Sequence, residues 1–294
     1  MKISSQFQEG RYLSEFSTFG IGGPARYFLE VRSIEEMQNA LRYCHEEKLP
    51  FCVVGKGSNS LFDDRGFNGL VLLNKIGFCT IEDQLVHVGA GYSFSLLGVQ
   101  TARKGLGGLE FASGIPASVG GAVYMNAGAN GAEVKDTVIE VSYVTEQGEL
   151  NHYMKEELSF SYRTSSFQKM KGAIVAAKFR LLPQAEARER QLKIIDYRTR
   201  TQPYGDKSIG CIFRNPTSHS AGALIEQSGL KGVSVGDAQV STLHANFIIN
   251  RGEASAQSVL ELAKLVQSTV KEKSGVDLEM EIRIISYEDA NVSG

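Results

Sequence analysis

Tryptophan is absent from this 294-residue chain, and proline occurs only 6 times and cysteine 4 times. Cys44, Cys52, Cys79 and Cys211 form no C-x-x-C pair, which argues against zinc-ribbon and thioredoxin-type chemistry. Free thiols in a reducing compartment are the expectation. No run of ~18 apolar residues is present, so no membrane span is expected. The opening MKISSQFQEG lacks the apolar stretch of a signal peptide, and the expected location is the cytoplasm. Neither sign of charge dominates: 31 Lys and Arg face 33 Asp and Glu, for a net charge of −2. No basic field or aromatic-interleaved basic stripe exists to hold nucleic acid. The 5 histidines show no H-E-x-x-H spacing, and no metal-ligand set is expected. With 42% hydrophobic and 22% charged residues, disorder and fibrous classes are excluded. At ~100–200 residues per domain, the length suggests two or three domains.

Glycine is what the chain has in excess: 31 residues, against a typical share of ~7%. The first ninety residues alternate strand and helix. A strand is expected over Ala25–Val31, then a helix to about Lys48 opened by a capping box of Ser33 and Glu36. Strands follow at 49–54, 69–73 and 85–88, and a helix at 96–104. From Gly105 to Gly131 the chain is saturated with small residues, GLGGLEFASGIPASVGGAVYMNAGANG, with a short buried helix expected within 118–126. Strands dominate from 134 to 182, with a turn at Gln147-Gly148. After Pro183 come a charged helical connector (184–199), a strand at 210–214, a helix at 221–228 and a strand at 246–250. The clearest amphipathic helix covers 254–273, with Val259, Leu262, Ala263 and Val266 at helical spacing and Gly275 as its stop. A last strand alternates, with Leu278, Met280, Ile282 and Ile284 on one face and Glu279, Glu281 and Arg283 on the other.

Two glycine tracts carry the ligand signal. Gly55, Lys56, Gly57, Ser58, Asn59 and Ser60 follow a strand, where successive amides suit a phosphate or pyrophosphate. The tract is not a P-loop. It is not a Rossmann fingerprint either, because Ser60 stands where the third glycine belongs. Alone, Gly55-x-Gly57 reads more readily as an ordinary turn than as a ligand loop. The tract from 105 to 131 is harder to explain by packing and would let backbone lie flat against a planar ligand. Together the two favour a dinucleotide held by backbone.

At these residues the chain resembles the UDP-N-acetylenolpyruvoylglucosamine reductase (MurB) family. The resemblance rests on T-F-G-I-G-G-P-A at 18–25, V-G-K-G-S-N-S-L at 54–61, and G-I-P at 114–116 through G-G-A at 120–122 to N-A-G-A at 126–129. It continues in S-Y-R-T-S at 161–165, G-C-I-F-R-N-P at 210–216, H-A-N-F at 244–247 and L-E-M-E-I-R at 278–283. It spans most of the chain in order. It implies an α+β fold: a two-subdomain FAD-binding module of the vanillyl-alcohol-oxidase/PCMH type (1–85 and 86–183), then a C-terminal α/β substrate domain (184–294). The chain resembles the shorter type without a capping insertion. The implied chemistry passes a hydride from NADPH to non-covalent FAD. A second hydride passes from reduced FAD to C3 of the enolpyruvyl ether, with protonation at C2 to give UDP-N-acetylmuramate.

The resemblance also implies roles. FAD is expected on Gly55, Lys56, Gly57, Ser58, Asn59, Ser60, Gly114, Ile115, Pro116, Gly120, Gly121, Ala122, Asn126 and Gly128. Arg163 matches the catalytic arginine, whose fork suits a carboxylate or enolate; without the family it reads as a surface strand residue. Cys211 stands where most of the family carries the proton-donating serine. A thiol of ordinary pKa ~8.5 is a neutral donor at pH 7, though a buried free cysteine is commonly structural. Glu281 matches the catalytic glutamate, while strand alternation alone cannot separate it from Glu279. Asn215 matches a substrate-contacting asparagine. Two other readings stay open here. One is an FAD oxidase of the same fold acting on a small hydroxy acid or alcohol. The other is a nucleotide-binding regulatory module that has lost catalysis. Oligomeric state is not legible.

Overall fold

The computed structural model describes residues 3–289; the outer ends of the expected first and third units, 1–2 and 290–294, lie outside them. Helix formation follows the local chemistry of the chain. Ser33 accepts a hydrogen bond from Glu36 N–H at 3.1 Å while the Glu36 carboxylate reaches back to the Ser33 N–H. This reciprocal box satisfies donors that helix geometry leaves bare. The first unit comprises β1 (Ala25–Val31), α1 (Ile34–Glu46), β2 (Phe51–Val54), β3 (Ser60–Phe62) and β4 (Phe67–Asn74). Its parallel sheet runs β1-β4-β2. Central β4 is covered on both faces, which is why its apolar run is continuous rather than alternating.

The second unit is built around β5 (Cys79–Glu82), β6 (Leu85–Gly89), α2 (Phe94–Arg103), α3 (Val119–Tyr124), β7 (Val138–Thr145), β8 (Leu150–Met154) and β9 (Gly172–Arg180). The sheet is antiparallel throughout, in the order β8-β7-β9-β6-β5. Gly148, at φ +81°, makes the turn expected at 147–148. Val141 and Tyr143 point to the face covered by Phe94, Leu97, Val119 and Val123. Val144, Ala173 and Val175 point to the other, where they share a core with Met37 and Leu41 of α1. Helix α1 therefore joins the two sheets.

The third unit contains α4 (Ala187–Thr201), β10 (Lys207–Cys211), α5 (Ala221–Gln227), β11 (Ser234–Val235), β12 (Ala238–Val240), β13 (Phe247–Asn250), α6 (Ala256–Ser274) and β14 (Arg283–Ile285). Its antiparallel sheet runs β10-β13-β12-β11. Helix α6 buries Val259, Leu262, Ala263, Val266 and Val270 and ends at Gly275, φ +73°.

Packing also ties the third unit to the other two. Helix α4 lies against α2 and the short helix Glu110–Ala112 of the second unit. Phe19 and Ile21 are buried in the core of the third unit. Strand β14 pairs in parallel with β3 of the first unit. That last pairing corrects the alternation expected for the final strand. Leu278 and Ile282 are buried as expected, but Ile284 is 45% exposed and Ile285 is buried instead. The ordered strand begins only at Arg283, where the chain leaves one domain and enters another, and its facing changes with the neighbour it pairs.

Candidate active site

The 55–60 loop joins β2 to β3. A Cβ on Gly55 would sit 2.1 Å from Ser118 Oγ, and one on Gly57, whose φ is +59°, would sit 2.1 Å from the Phe16 carbonyl oxygen. Only glycine permits this approach. Ser118 starts α3 by accepting a hydrogen bond from Gly121 N–H at 3.2 Å. The two glycine tracts, which meet at Gly55 and Ser118, 63 residues apart in sequence, thus abut and form one side of a cleft of ≈330 Å³. Of the residues expected to hold FAD, Gly55, Lys56, Gly57, Ser58, Asn59, Ser60, Ile115, Pro116, Gly121, Ala122 and Gly128 line it. This wall of small residues and backbone suits a flat, diphosphate-bearing cofactor, and these residues would hold FAD.

Arg163, Cys211 and Glu281 line the same cleft. Arg163 sits on the turn between the paired strands Phe160–Ser161 and Thr164–Ser165, with φ +55°. Bulky residues seldom adopt that backbone. Its carbonyl accepts from Gln168 Nε2 at 3.0 Å. Its guanidinium is held three ways: Nε donates to Glu281 Oε1 at 2.7 Å, Nη2 donates to the Gly128 carbonyl at 3.0 Å, and the Tyr162 ring lies 5.0 Å away. Both partners of the ion pair are largely enclosed. Burial pushes the Glu281 carboxyl up, and Arg163 and Arg214 pull it back down.

Cys211 ends β10, opposite Phe247 of β13. Ile212 N–H donates to the Asn246 carbonyl at 2.9 Å, and the Ile212 carbonyl accepts from Glu281 N–H at 2.8 Å. The 211–214 segment therefore lies between β13 and the 279–281 segment, which sets the thiol and Glu281 side by side. Glu279 is exposed and outside the cleft. Burial, then the Glu281 carboxylate, push the Cys211 thiol up to about 12, against the opposing pull of Arg163 and Arg198. The thiol keeps its proton at neutral pH.

Four expected residues do not line the cleft. Gly114, at φ +82°, is covered by α4: its carbonyl accepts from Tyr204 OH at 2.6 Å and Arg198 Nη2 at 3.4 Å. Gly120 lets α3 approach Ala90, where a Cβ would meet the Ala90 Cβ at 2.9 Å. Asn126 is fully buried and braces Glu133, the Ser161 carbonyl and Lys135 N–H. Asn215 Oδ1 accepts from Ala221 N–H at the start of α5, 3.0 Å away. Conversely, Tyr124, Arg198, Gln202, Phe247 and Arg283 line the cleft without having been assigned roles from sequence. Arg283 stands in a motif that pointed there: its N–H donates to the Asn59 carbonyl at 2.9 Å and its guanidinium stacks on Tyr124 at 4.5 Å. Arg198 lies in a uniformly charged helix, where nothing local distinguishes it. Lys56, Arg163, Arg198 and Arg283 face one acid, Glu281, so the cleft is cationic within a chain of net charge −2.

A glycine-walled cleft beside a parallel and an antiparallel sheet, closed by a separate domain that contributes a paired carboxylate and a protonated thiol, defines a flavin-dependent oxidoreductase. Residues 25–153 match an FAD-binding domain, and residues 202–285 match the C-terminal domain of UDP-N-acetylenolpyruvoylglucosamine reductase. The reductase of Protochlamydia amoebophila is 59% identical over 98% of this chain and 97% of its own length. That of Chlamydia muridarum is 50% identical over 96% and 95%. The crystal structure of the Thermus caldophilus enzyme superposes with a TM-score of 0.81 at 37% identity, covering 95% of this chain and 99% of that one. The chain belongs to the UDP-N-acetylenolpyruvoylglucosamine reductase family and is an FAD-containing oxidoreductase of peptidoglycan precursor synthesis. The fold expected from sequence, an FAD-binding module followed by the family's C-terminal domain, is the fold found, and the length fits the type without an insertion.

Proposed function

We propose that this chain reduces UDP-N-acetylenolpyruvoylglucosamine to UDP-N-acetylmuramate, with NADPH as the electron source, by the residues gathered in the cleft. Bound FAD supplies the hydride that adds at C3 of the enolpyruvyl ether. Adding hydride at C3 moves charge toward C2 and its carboxylate, and a fixed cation stabilises that charge without reorganising. Arg163 is placed for this role: Glu281 and the Gly128 carbonyl hold its fork, and further N–H donors remain for the substrate. Cys211 donates the proton that arrives at C2, so hydride and proton together saturate the double bond. Glu281 orients Arg163 and keeps the neighbouring thiol protonated. Asn215, whose side chain anchors α5, acts by shaping the site beside Tyr162.

The observation that carries this reading is convergence. Arg163 and Glu281 are 118 residues apart in sequence and form a 2.7 Å ion pair in the cleft that Cys211 also lines. The three-part division at 85/86 and 183/184 is retained as a proposal, with β5 and the start of β6, on the first-unit side of 85/86, belonging to the sheet of the second unit and α4 shared between second and third units. Cytoplasmic action accords with the finding that no helix among the described residues is long and apolar enough to cross a membrane.

The test is an anaerobic visible spectrum, followed through addition of NADPH and then the enolpyruvyl sugar nucleotide. Bleaching followed by recovery is expected. Bleaching without recovery, with rapid recovery in air, would favour an oxidase of the same fold. In the same assay Glu281→Gln is expected to slow recovery far more than Glu279→Gln, and the reverse order would remove Glu281 from its role.

A further inference from the structure

We propose that Thr18 is a positioning residue for Cys211: from the far end of the chain it braces the bulge in β10 that aims the thiol into the cleft. The inference rests on the reading of Cys211 as proton donor.

In the ladder between β10 and β13, Ser208 lies opposite Ile249 and Cys211 opposite Phe247. Three steps along one strand answer two along the other, so β10 carries an extra residue. Gly210 takes φ +82° there. A bulge of this kind bends its strand and re-aims the next side chain. It also breaks the ladder, so something else must fix its geometry.

The 16–21 segment supplies that fixing. Thr18 Oγ1 donates to the carbonyl of Ser208, the last residue before the bulge, at 2.6 Å. One residue on, the Phe19 carbonyl accepts from Asn250 Nδ2 at 3.1 Å, and Asn250 sits opposite Lys207 in the same ladder. Phe19 and Ile21 are buried beside Ile209, which lies inside the bulge. The other side of the segment meets the FAD loop: a Cβ on Gly57 would strike the Phe16 carbonyl oxygen at 2.1 Å and Ser17 Cα at 2.9 Å. The segment is thus wedged between the 55–60 loop and the Cys211 strand, and sets the spacing of one from the other. Thr18 does not line the cleft. It acts through Ser208.

The experiment uses the FAD-loaded enzyme and its variants Thr18→Val, Thr18→Ala and Thr18→Ser, with Cys211→Ala in parallel. Three readouts are taken: flavin bleaching by NADPH, flavin recovery on adding the enolpyruvyl sugar, and carbamidomethylation of Cys211 by iodoacetamide, followed by peptide mass spectrometry. Loss of one half-buried hydrogen bond at a site that must hold its geometry is expected to slow recovery about tenfold in Thr18→Val. Bleaching and FAD content should stay at wild-type levels, Cys211 should alkylate faster, and Thr18→Ser should restore all three readouts. Wild-type recovery together with wild-type alkylation in both hydroxyl-less variants would overturn the proposal. Equal loss of both half-reactions with FAD release in both would also overturn it, since Thr18 would then serve only the fold. Wild-type recovery in Cys211→Ala would instead overturn the donor reading, while the alkylation rates would still report whether Thr18 positions the thiol.

Discussion

At the scale of the residue, burial decides what each cysteine does. Cys211 is held protonated by its enclosure and by Glu281, which makes it usable as an acid and unreactive as a nucleophile. Cys211→Ser is expected to keep both half-reactions. Cys211→Ala is expected to keep flavin reduction by NADPH and to lose recovery with substrate by a factor of about 10² or more, measured by stopped-flow absorbance. Cys44 and Cys52 lie in apolar cores, where burial pushes each thiol from 9.0 up to about 12. Folded chains hold those protons above pH 9 while unfolded chains release them. Their stabilising contribution is therefore complete below about pH 9 and is lost as pH rises toward 12, at up to ~1.4 kcal/mol per pH unit per thiol. Urea midpoints should fall across that window, and fall less steeply in a Cys44→Ala, Cys52→Ala double variant. An unchanged slope would contradict the assignment.

At the scale of the element, the sequence was legible wherever local chemistry decides. The Ser33–Glu36 box, the Ser118 start of α3, the Gly148 turn and the Gly275 stop all stand where residue types placed them. Ser33→Ala should cost about 1 kcal/mol in chemical denaturation, with the cleft residues and turnover unaffected. A loss near zero would show that packing of α1 between the two sheets holds the helix without its cap. Elements whose placement depends on a distant partner were less legible. The β10 strand lies over 207–211 rather than 210–214, because its partner β13 starts only at Phe247, opposite Cys211. The final strand is short because it pairs with β3 of another unit.

At the scale of the whole molecule, the chain crosses between units at both ends. Phe19 is fully buried in the core of the third unit, in one cluster with Ala221, Leu224 and Ile225 of α5, which starts 202 residues further along the chain. Ile285 is buried with Leu13, Phe28 and Phe62 of the first unit. Asp64 of the first unit accepts from Ala256 N–H at 2.8 Å and Gln257 N–H at 3.2 Å, capping α6 of the third. Such interlocking predicts one cooperative unfolding transition rather than three. Phe19→Ala, an aromatic-to-alanine change in a closed core, should destabilise the chain by about 3–5 kcal/mol. Near-UV and far-UV signals should still unfold together. A separate early transition of the third unit would show that the crossings do not couple the domains.

What the sequence determined by itself was the family and the class of cofactor, because glycine spacing, caps and short motifs are local and survive without knowledge of what packs against them. It also separated the loop at 55–60 from the P-loop and Rossmann patterns. Strand parity could not separate Glu281 from Glu279, and the family resemblance pointed to Glu281; the tertiary structure adds that Glu281 meets Arg163. Only the tertiary structure moved Gly114, Gly120, Asn126 and Asn215 from the cleft wall to the scaffold behind it, and brought Arg198 and Arg283 forward. Arg163 and Glu281 lie 118 residues apart, and the Gly114 carbonyl is met by Arg198 and Tyr204, 84 and 90 residues further on. No window of sequence contains both partners of such a contact, and packing alone selects which side chains meet.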